Sequence, residues 1–204
     1  MSHIAIIGAT GRAGSALLEE ALRRGHTVTA IARNASKLGD RAGVTAKDVD
    51  ILDAVALRNA LKGVDAVFSA ARFIDIPASA LIEPVIAAAV PRLLVVGGAA
   101  SLYITPETRL FDSPNFPAEY KGEANAGIAY LDALRAEPTL DWTFLSPSAL
   151  FIEGARTGTF RIGSDYLLVD ADGKSWITFA DYAIAYLDEL EQPKHSRQRF
   201  TVGY

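Results

Sequence analysis

The sequence feature that most constrains the fold is a glycine-rich turn between a predicted first strand and a predicted first helix. The strand is His3-Ile4-Ala5-Ile6-Ile7, the helical pattern covers residues 15–24, and Gly8-Ala9-Thr10-Gly11-Arg12-Ala13-Gly14 lies between them. In such a turn the first glycine permits the tight bend, the second lets the backbone approach a phosphate, and the third lets the helix pack on the strand. The free N–H groups of the helix N-terminus attract negative charge, so the turn predicts a site for a dinucleotide pyrophosphate.

The end of the second predicted strand, residues 27–32, indicates which dinucleotide is bound. NAD-binding units carry Asp or Glu at this point, roughly 20 residues past the glycines, to bind the ribose 2′-hydroxyl. Here Arg33 holds the position, and no carboxylate follows until Asp40. A guanidinium binds a 2′-phosphate through two charge-assisted hydrogen bonds, and Arg12 could reach the same phosphate. The pattern favours NADP(H), with NAD(H) as the second option, unless both arginines are only solvated surface residues.

Composition narrows the class of protein. A chain of 204 residues with 50% hydrophobic residues lies in the size range of one domain and supports a sizeable core. The absence of cysteine excludes disulfides, thiolate nucleophiles and cysteine-bound metals. The net charge of −4 disfavours nucleic acid as a partner. Since the sequence shows neither a membrane-spanning apolar run nor a signal peptide, we expect a cytoplasmic enzyme, monomeric or homodimeric, that acts on a small molecule.

Predicted strands and helices alternate along the first two thirds of the chain, as a parallel sheet with crossover helices requires. We therefore expect a Rossmann-type, doubly wound α/β fold in one domain, residues 1–204, with a cofactor-binding core over about 1–147 and a small substrate lobe over about 148–204. Further strands are predicted at 44–49, 64–68, 92–96, 142–145, 166–169 and 199–202, and further helices at 54–61, 78–89, about 118–135 and 179–190.

Ligands of such a sheet lie outside the carboxyl ends of the strands, and the residues that emerge there define the predicted site. Residues after the third strand would flank an adenine, small residues after the fourth leave room for a ribose, and the segments after the fifth and sixth would border the nicotinamide. The predicted cofactor-binding residues are Gly8, Thr10, Gly11, Arg12, Ala13, Gly14, Arg33, Asp50, Ile51, Ser69, Ala70, Ala71, Gly98, Ser101, Pro147 and Ser148. Each of these segments, taken alone, could be no more than a tight turn at the end of a strand. Only their predicted position at one and the same edge of the sheet favours a binding site.

Several motifs resemble one known family over the whole chain. Beyond the Gly-x-x-Gly-x-x-Gly turn and Arg33, the motifs are Ala66-Val67-Phe68-Ser69-Ala70, Leu94-Val95-Val96-Gly97-Gly98-Ala99-Ala100-Ser101-Leu102, and residues 116–121, 141–147 and 197–204. These stretches resemble the atypical short-chain dehydrogenase/reductases, and most closely the NADH-flavin reductase type that is related to flavin/biliverdin-IXβ reductases. The resemblance implies a Rossmann domain that binds NAD(P)H and an oxidoreductase activity.

The acid that typical members of this larger family use is absent from the chain. Those members use Ser, Tyr and Lys, with the Lys four residues after the Tyr on one helix face. Here Lys121 directly follows Tyr120, and neighbours on a helix point about 100° apart, so Lys121 cannot support Tyr120 in the usual way. Tyr103 and Tyr130 have no lysine at the required spacing either. Ser101 and Tyr120 remain the candidate catalytic residues.

The missing acid predicts the class of acceptor. Reduction of a carbonyl by hydride concentrates charge on one oxygen and needs a positioned acid, whereas a flavin or quinone spreads the charge over a ring system and takes its proton from water. We therefore predict an NAD(P)H-dependent reductase of a planar conjugated acceptor. Aromatic walls suit planar ligands, and the pocket would use at most two of five residues, Phe73, Tyr103, Phe111, Tyr120 and Phe151.

Two other functions stay open. The missing Tyr–Lys pair also suits a non-catalytic regulatory protein that senses NADP(H) and docks onto a partner. A nucleotide-sugar epimerase or dehydratase would keep the same cofactor, but the missing pair and the short C-terminal lobe argue against it. The three histidines, His3, His26 and His195, show no metal-ligand spacing, so no metal is predicted.

Overall fold

The computed structural model describes residues 1–204, which form twelve strands and five α-helices. The strands are β1 (His3–Ile7), β2 (Thr27–Ala32), β3 (Val44–Asp48), β4 (Ala66–Ser69), β5 (Arg92–Val96), β6 (Tyr103–Thr105), β7 (Thr108–Arg109), β8 (Asp141–Pro147), β9 (Leu150–Ile152), β10 (Arg161–Gly163), β11 (Trp176–Thr178) and β12 (Gln198–Gly203). The helices are α1 (Arg12–Arg23), α2 (Ala54–Ala60), α3 (Ala78–Ala87), α4 (Lys121–Ala136) and α5 (Phe179–Glu191).

Eight strands form one sheet in the order β10-β12-β8-β5-β4-β1-β2-β3. All neighbours pair in parallel except β10 and β12, which are antiparallel. β2 lies on one side of β1 and β4 lies on the other, so the strand order reverses at β1. Such a reversal opens a crevice at the carboxyl ends of the strands. The predicted Rossmann-type fold is confirmed, and the glycine turn lies at this switch point.

Most predicted elements agree with the structure to within a few residues. β1, β2 and β5 agree at both ends. α1 starts at Arg12 instead of Ser15, because Gly11 has extended backbone angles (φ −80°, ψ 169°) and its carbonyl accepts the Ser15 N–H at 2.8 Å. A 3₁₀ turn over Ala118–Tyr120 precedes α4, which therefore begins at Lys121.

The predicted strand over residues 166–169 is wrong. Only Tyr166 pairs, in an isolated bridge with Tyr103. Because β10 already occupies the free edge of β12, residues 166–169 find no open edge there. Leu168 instead packs against the backbone of Gly163 and Gly203. The aromatic and aliphatic composition of residues 166–169 is typical of a half-buried extended segment, and such side chains can be buried by packing without a partner strand.

Helices cover both faces of the sheet. One core layer lies between the sheet and α2, α3 and α4, and Leu57, Leu81 and Leu131 are among its buried residues. On the other face α1 packs against α5, where Leu17 and Tyr186 are buried. The last quarter of the chain therefore contributes both a helix and an interior strand, β12, to the layers that support the glycine turn.

A buried carboxylate joins α1 to the segment before β10. The side chain of Glu20 is 4% exposed and accepts hydrogen bonds from Arg24 and from Arg156, each at 2.9 Å. Arg24 also donates to Asp188 and Glu191 of α5, both at 2.8 Å. Burial by itself would raise the pKa of Glu20, but the hydrogen bonds and charges of the two arginines outweigh it and hold this pKa below its usual value.

Replacement of Glu20 tests whether its network of hydrogen bonds and ion pairs with Arg24 and Arg156 stabilises the fold. We expect Glu20→Gln to lower the free energy of unfolding at neutral pH by about 2 kcal/mol, because Arg156 loses its charged partner and Arg24 loses the most buried of its three. A carboxylate with a lowered folded-state pKa stabilises the fold above its unfolded-state pKa, and this contribution is lost as the pH falls through the folded-state pKa. In urea unfolding, the difference between Glu20→Gln and the wild type should therefore shrink between about pH 7 and about pH 3.

Glu19→Gln is the matched control, since Glu19 is exposed on the same helix and pairs only at the surface, with Arg41. Its free energy of unfolding should change by less than about 0.5 kcal/mol. Equal stability of Glu20→Gln and the wild type at neutral pH would contradict the stabilising role assigned to the network.

Candidate functional site

The glycine turn brings the backbone of α1 against the backbone that leaves β1. Gly8 has a positive φ of 78°, its N–H donates to the Ile31 carbonyl at 2.8 Å, and a Cβ at this position would lie 2.9 Å from the Ala70 oxygen. The Gly11 N–H donates to the Gly8 carbonyl at 2.9 Å. A Cβ on Gly14 would lie only 2.1 Å from the same carbonyl oxygen. Glycine is therefore required at positions 8 and 14, for conformation and for space.

The N-terminus of α1 is open to an anionic ligand. Gly11 caps the helix without a side chain, and the first turn contains no acidic residue. Thr10, Gly11 and Arg12 are exposed, and Ala13 is partly exposed. The Arg12 guanidinium lies 5.6 Å from the centre of the Phe179 ring, at the start of α5. Unbonded N–H groups at the positive end of the helix dipole therefore face the crevice, which fits a pyrophosphate.

Arg33 follows β2 at the same edge of the sheet, and its exposed side chain makes no ion pair or hydrogen bond. The carboxylate nearest to it in the strand register is Asp48, which pairs with Ala32. Asp48 accepts the Ser36 N–H at 2.9 Å, and this bond holds the pKa of Asp48 below its usual value. Because Asp48 is engaged with Ser36, the Arg33 guanidinium is available to a phosphate.

The residues that follow β3 and β4 differ in exposure. Asp50 is exposed, and its carboxylate accepts the N–H two residues further on at 3.0 Å. Ile51 is buried in the core layer that contains α2. Ser69 is buried at the end of β4, whereas Ala70 and Ala71 are partly exposed. Of the predicted adenine-flanking pair, only Asp50 therefore presents its side chain at the surface.

The two glycines after β5 have different surroundings. The Gly97 N–H donates to the Leu145 carbonyl at 2.8 Å, and a Cβ on Gly97 would lie 2.7 Å from that oxygen. Around Gly98 the nearest atom to a Cβ would be Cε2 of Phe73, at 4.0 Å. Gly97 therefore serves the packing of β5 on β8, while Gly98 is partly exposed and a Cβ there would make only an ordinary contact with Phe73.

Pro147 and Ser148, predicted to border the nicotinamide, are both buried. The Ser148 hydroxyl donates to the Val202 carbonyl at 3.1 Å. A Cβ on Gly203 would lie 2.1 Å from the Ser148 Oγ, so Ser148 fills the space beside β12. This hydroxyl joins the end of β8 to β12, a role within the sheet that the sequence did not indicate.

The two candidate catalytic residues lie in different environments. Ser101 is 8% exposed, and its Oγ accepts a hydrogen bond from Arg199 at 3.2 Å. Tyr120 is 61% exposed at the end of the 3₁₀ turn, and its hydroxyl makes no hydrogen bond. Lys121 is exposed beside it, and no hydrogen bond joins Ser101 to Tyr120. The structure therefore assembles no Ser–Tyr–Lys acid from these residues.

The five aromatic candidates differ in packing more than in exposure. Phe73 and Phe151 are partly exposed and pack against core rings, with centroid distances from 4.2 Å to 5.9 Å. Tyr103 and Phe111 are also partly exposed and also pack against other aromatic rings. Only Tyr120 is exposed.

Glu123 is a neighbour of the crevice that the sequence did not indicate. From the first turn of α4, its carboxylate accepts the N–H of Phe73 at 2.8 Å and the N–H of Ile74 at 3.1 Å. These two residues belong to the segment that leaves β4 beyond Ala71. Glu123 thus fixes one wall of the crevice, across sequence separations of 50 and 49 residues that no local pattern reveals.

A cleft of about 370 Å³ lies beyond the carboxyl end of β12, between residues 153–159 and the rings of Trp176 and Tyr204. The two ring centres are 4.4 Å apart. The Tyr204 hydroxyl is bonded to Asp181 at 2.5 Å and to Thr178 at 3.0 Å, which fixes its ring as a wall. The volume is in the range of small-molecule pockets, and the sequence did not single out either ring as a pocket residue.

No group of three or more His, Asp or Glu side chains lies close enough together to hold a metal ion. None of the five helices combines the length and the apolar character that a membrane crossing requires.

The reversed parallel sheet, with a glycine turn and an open helix N-terminus at the reversal, defines a Rossmann-type nucleotide-binding protein. Residues 8–193 match the family model described as NAD(P)H-binding, so the chain belongs to this NAD(P)H-binding family. The cofactor class and the family inferred from the motifs are thereby confirmed.

Known proteins resemble the chain over nearly all of its length. The uncharacterised protein YwnB of Bacillus subtilis (strain 168) is 47% identical over an alignment of 209 positions, gaps included. The alignment covers 98% of this chain and 97% of YwnB. A candidate epimerase from Bacteroides thetaiotaomicron is 42% identical with a TM-score of 0.94, over 100% of this chain and 97% of its own. A candidate NADH-flavin reductase from Streptococcus pneumoniae is 38% identical with a TM-score of 0.87. The match covers 100% of this chain and 99% of the reductase chain.

The contact at Gly14 generates a direct test of the turn. We expect Gly14→Ala to lower the free energy of unfolding by about 2 kcal/mol or more, because the added methyl group meets backbone that cannot give way. The shifted helix N-terminus should also weaken NADPH binding at least about tenfold, measured by titration of the NADPH fluorescence.

Gly122→Ala is the control, since a Cβ there would meet only Cδ1 of Ile74, at an ordinary 3.4 Å. It should leave both the melting temperature and the NADPH affinity close to those of the wild type. Normal NADPH binding by Gly14→Ala would mean that the cofactor does not use this turn.

Proposed function

We propose that the protein is an oxidoreductase that passes hydride from NADPH to a planar conjugated acceptor such as a flavin or a quinone. Membership of the NAD(P)H-binding family supports the cofactor. The observation that carries the choice of acceptor is that Tyr120 is not set up as an acid. Its side chain is 61% exposed, its hydroxyl makes no hydrogen bond, and no lysine lies four residues after it. An acceptor that spreads the arriving charge over its rings needs no such acid.

When bound, the cofactor supplies a hydride, that is, two electrons and one proton. The acceptor ring takes up that hydride together with a second proton from water, and oxidised cofactor remains. The chain's own residues would bind and orient the cofactor: the α1 N-terminus would hold the pyrophosphate, and Arg33 would hold the 2′-phosphate. Holding two rings face to face contributes much of the rate, because a bimolecular encounter becomes an oriented one.

Two observations support NADPH over NADH. The position that a carboxylate holds in NAD-specific units is Arg33, and its guanidinium has no partner in the protein. The nearest carboxylate in the strand register, Asp48, is occupied by the Ser36 N–H. A free guanidinium at the end of β2 matches a doubly charged 2′-phosphate, whereas a ribose 2′-hydroxyl gains little from it.

Removal of the Arg33 guanidinium tests the function and the cofactor together. Loss of NADPH absorbance is followed with FMN, FAD, riboflavin and a simple quinone as acceptors, and each assay is repeated with NADH. We expect turnover with NADPH, and for Arg33→Ala a rise in the KM for NADPH of about tenfold to a hundredfold, with the NADH values unchanged.

Arg58→Ala is the control, because Arg58 is exposed in the last turn of α2 and does not follow a strand of the crevice. Both cofactors should be used as by the wild type. Tight NADPH binding without hydride transfer to any acceptor would replace the reductase by an NADP(H)-sensing regulatory protein, the second candidate, which the unpaired Tyr120 suits equally well.

The exposed tyrosine generates a second prediction for the same assay. We expect Tyr120→Phe to keep kcat with a flavin or quinone within about twofold of the wild type, since the proton comes from water. A loss of more than about tenfold, with NADPH binding intact, would mean that Tyr120 is an acid after all and would favour a carbonyl substrate.

A further inference from the structure

A buried arginine outside the predicted site reaches one of its residues from the last strand. Arg199 lies on β12, and its side chain is only 2% exposed. Its Nη1 donates to the Ser101 Oγ at 3.2 Å, and its Nε donates to Oδ1 of Asp165 at 2.8 Å. Nη2 bonds the same carboxylate oxygen. A buried charge is tolerated when it is paired and hydrogen bonded, and Asp165 meets that requirement here.

The direction of the bond to Ser101 determines what that hydroxyl can do. A guanidinium has only donors, so Arg199 must occupy a lone pair of the Ser101 oxygen. The hydroxyl proton is left unused, since Ser101 makes no other side-chain hydrogen bond. Ser101 thus remains a donor, with a positive charge behind its oxygen that strengthens the bond it can give.

Arg199 also holds together two segments at the carboxyl edge of the sheet. Ser101 lies on the segment that leaves β5 and includes the partly exposed Gly98. Asp165 lies between β10 and β11, and its carbonyl accepts the Tyr103 N–H at 2.9 Å. Because one guanidinium bonds both segments, its removal would leave only the backbone hydrogen bonds at Tyr103 between them and would free the Ser101 side chain from a neighbour 98 residues away.

We propose that Arg199 is a positioning residue of the reductase site. It orients the Ser101 hydroxyl so that its proton points away from the guanidinium, towards the ring that gains negative charge when hydride arrives. Asp165 keeps Arg199 in place and compensates its charge. This role rests on the proposed function, and it assigns the anion-stabilising donor to a pair, Arg199 and Ser101, where other reductases use a tyrosine and a lysine.

A double-mutant cycle tests whether Arg199 acts through Ser101. We expect Arg199→Gln and Ser101→Ala each to lower kcat for NADPH-dependent FMN reduction by at least about tenfold, with the KM for NADPH within about threefold of the wild type. The double variant should be no slower than the slower single variant, because both remove the same interaction. Arg197→Gln is the control, since Arg197 lies two residues earlier and its side chain donates only to the Glu137 carbonyl, at 3.0 Å.

A merely structural role gives a different result. Arg199→Gln would then melt at a lower temperature while its folded fraction kept the wild-type kcat, or the two single effects would add in the double variant. Either result overturns the proposal. If Arg199→Gln does not fold, Asp165→Asn carries the same test, because the Asp165 side chain is 52% exposed and the Asn amide oxygen can still accept from Arg199, so that only the compensating charge is lost. It should lower kcat in the same direction.

A readout without turnover separates this proposal from the proposed function. If the wild type reduces no acceptor, the reductase assignment fails, and the emission of bound NADPH, which reports how the nicotinamide is held, decides the role of Arg199. The proposal expects Arg199→Gln and Asp165→Asn to reduce that emission while the affinity for 2′,5′-ADP, which occupies only the adenosine half, stays unchanged. Unchanged emission in both variants overturns it.

Discussion

The backbone of α1 lies directly on the backbone of the turn that follows β1, and the rest of the site depends on this contact. A Cβ on Gly14 would come within 2.1 Å of the Gly8 oxygen, so the helix can take this position only without a side chain there. The contact aims the helix N-terminus at the crevice where the strand order reverses. It also fixes the side of α1 that packs against α5, and through α5 the turn is connected to the end of the chain.

The two halves of the site are built on different physical principles. The half of the site that we propose for the phosphates consists of the backbone N–H groups of the α1 N-terminus and the unpaired Arg33 guanidinium. Both follow directly after one of the first two strands, β1 and β2. The other half is held by side chains from distant parts of the chain: Glu123 bonds the segment after β4, Ser148 bonds β12, and Arg199 bonds the segment after β5. A ring that must be held at a defined distance needs such support, because loops alone are not rigid enough.

The parts predicted from sequence are those whose cause is local. β1, β2 and β5 are short, β-branched runs that are buried on both faces, and their pattern alone marks both ends. The glycine turn is largely local, since Gly11 and Gly14 both approach the Gly8 carbonyl, although Gly8 itself also lies against the backbone of Ala70. Residues 166–169 carry a similar apolar signal, yet only Tyr166 pairs, in an isolated bridge. A composition signal contains no information about which edges are free.

The sequence by itself determined the fold class, the glycine turn between β1 and α1 and the charge at the end of β2, because each follows from a periodicity or a motif of neighbouring residues. Only the tertiary structure decided which side chains are free to act. It paired Ser101 with Arg199, left Tyr120 in solvent, placed Arg12 over Phe179 and gave Glu123 a wall of the crevice to hold. Hydrogen bonds between residues 50 or more positions apart depend on how the layers pack, and no local pattern encodes that packing.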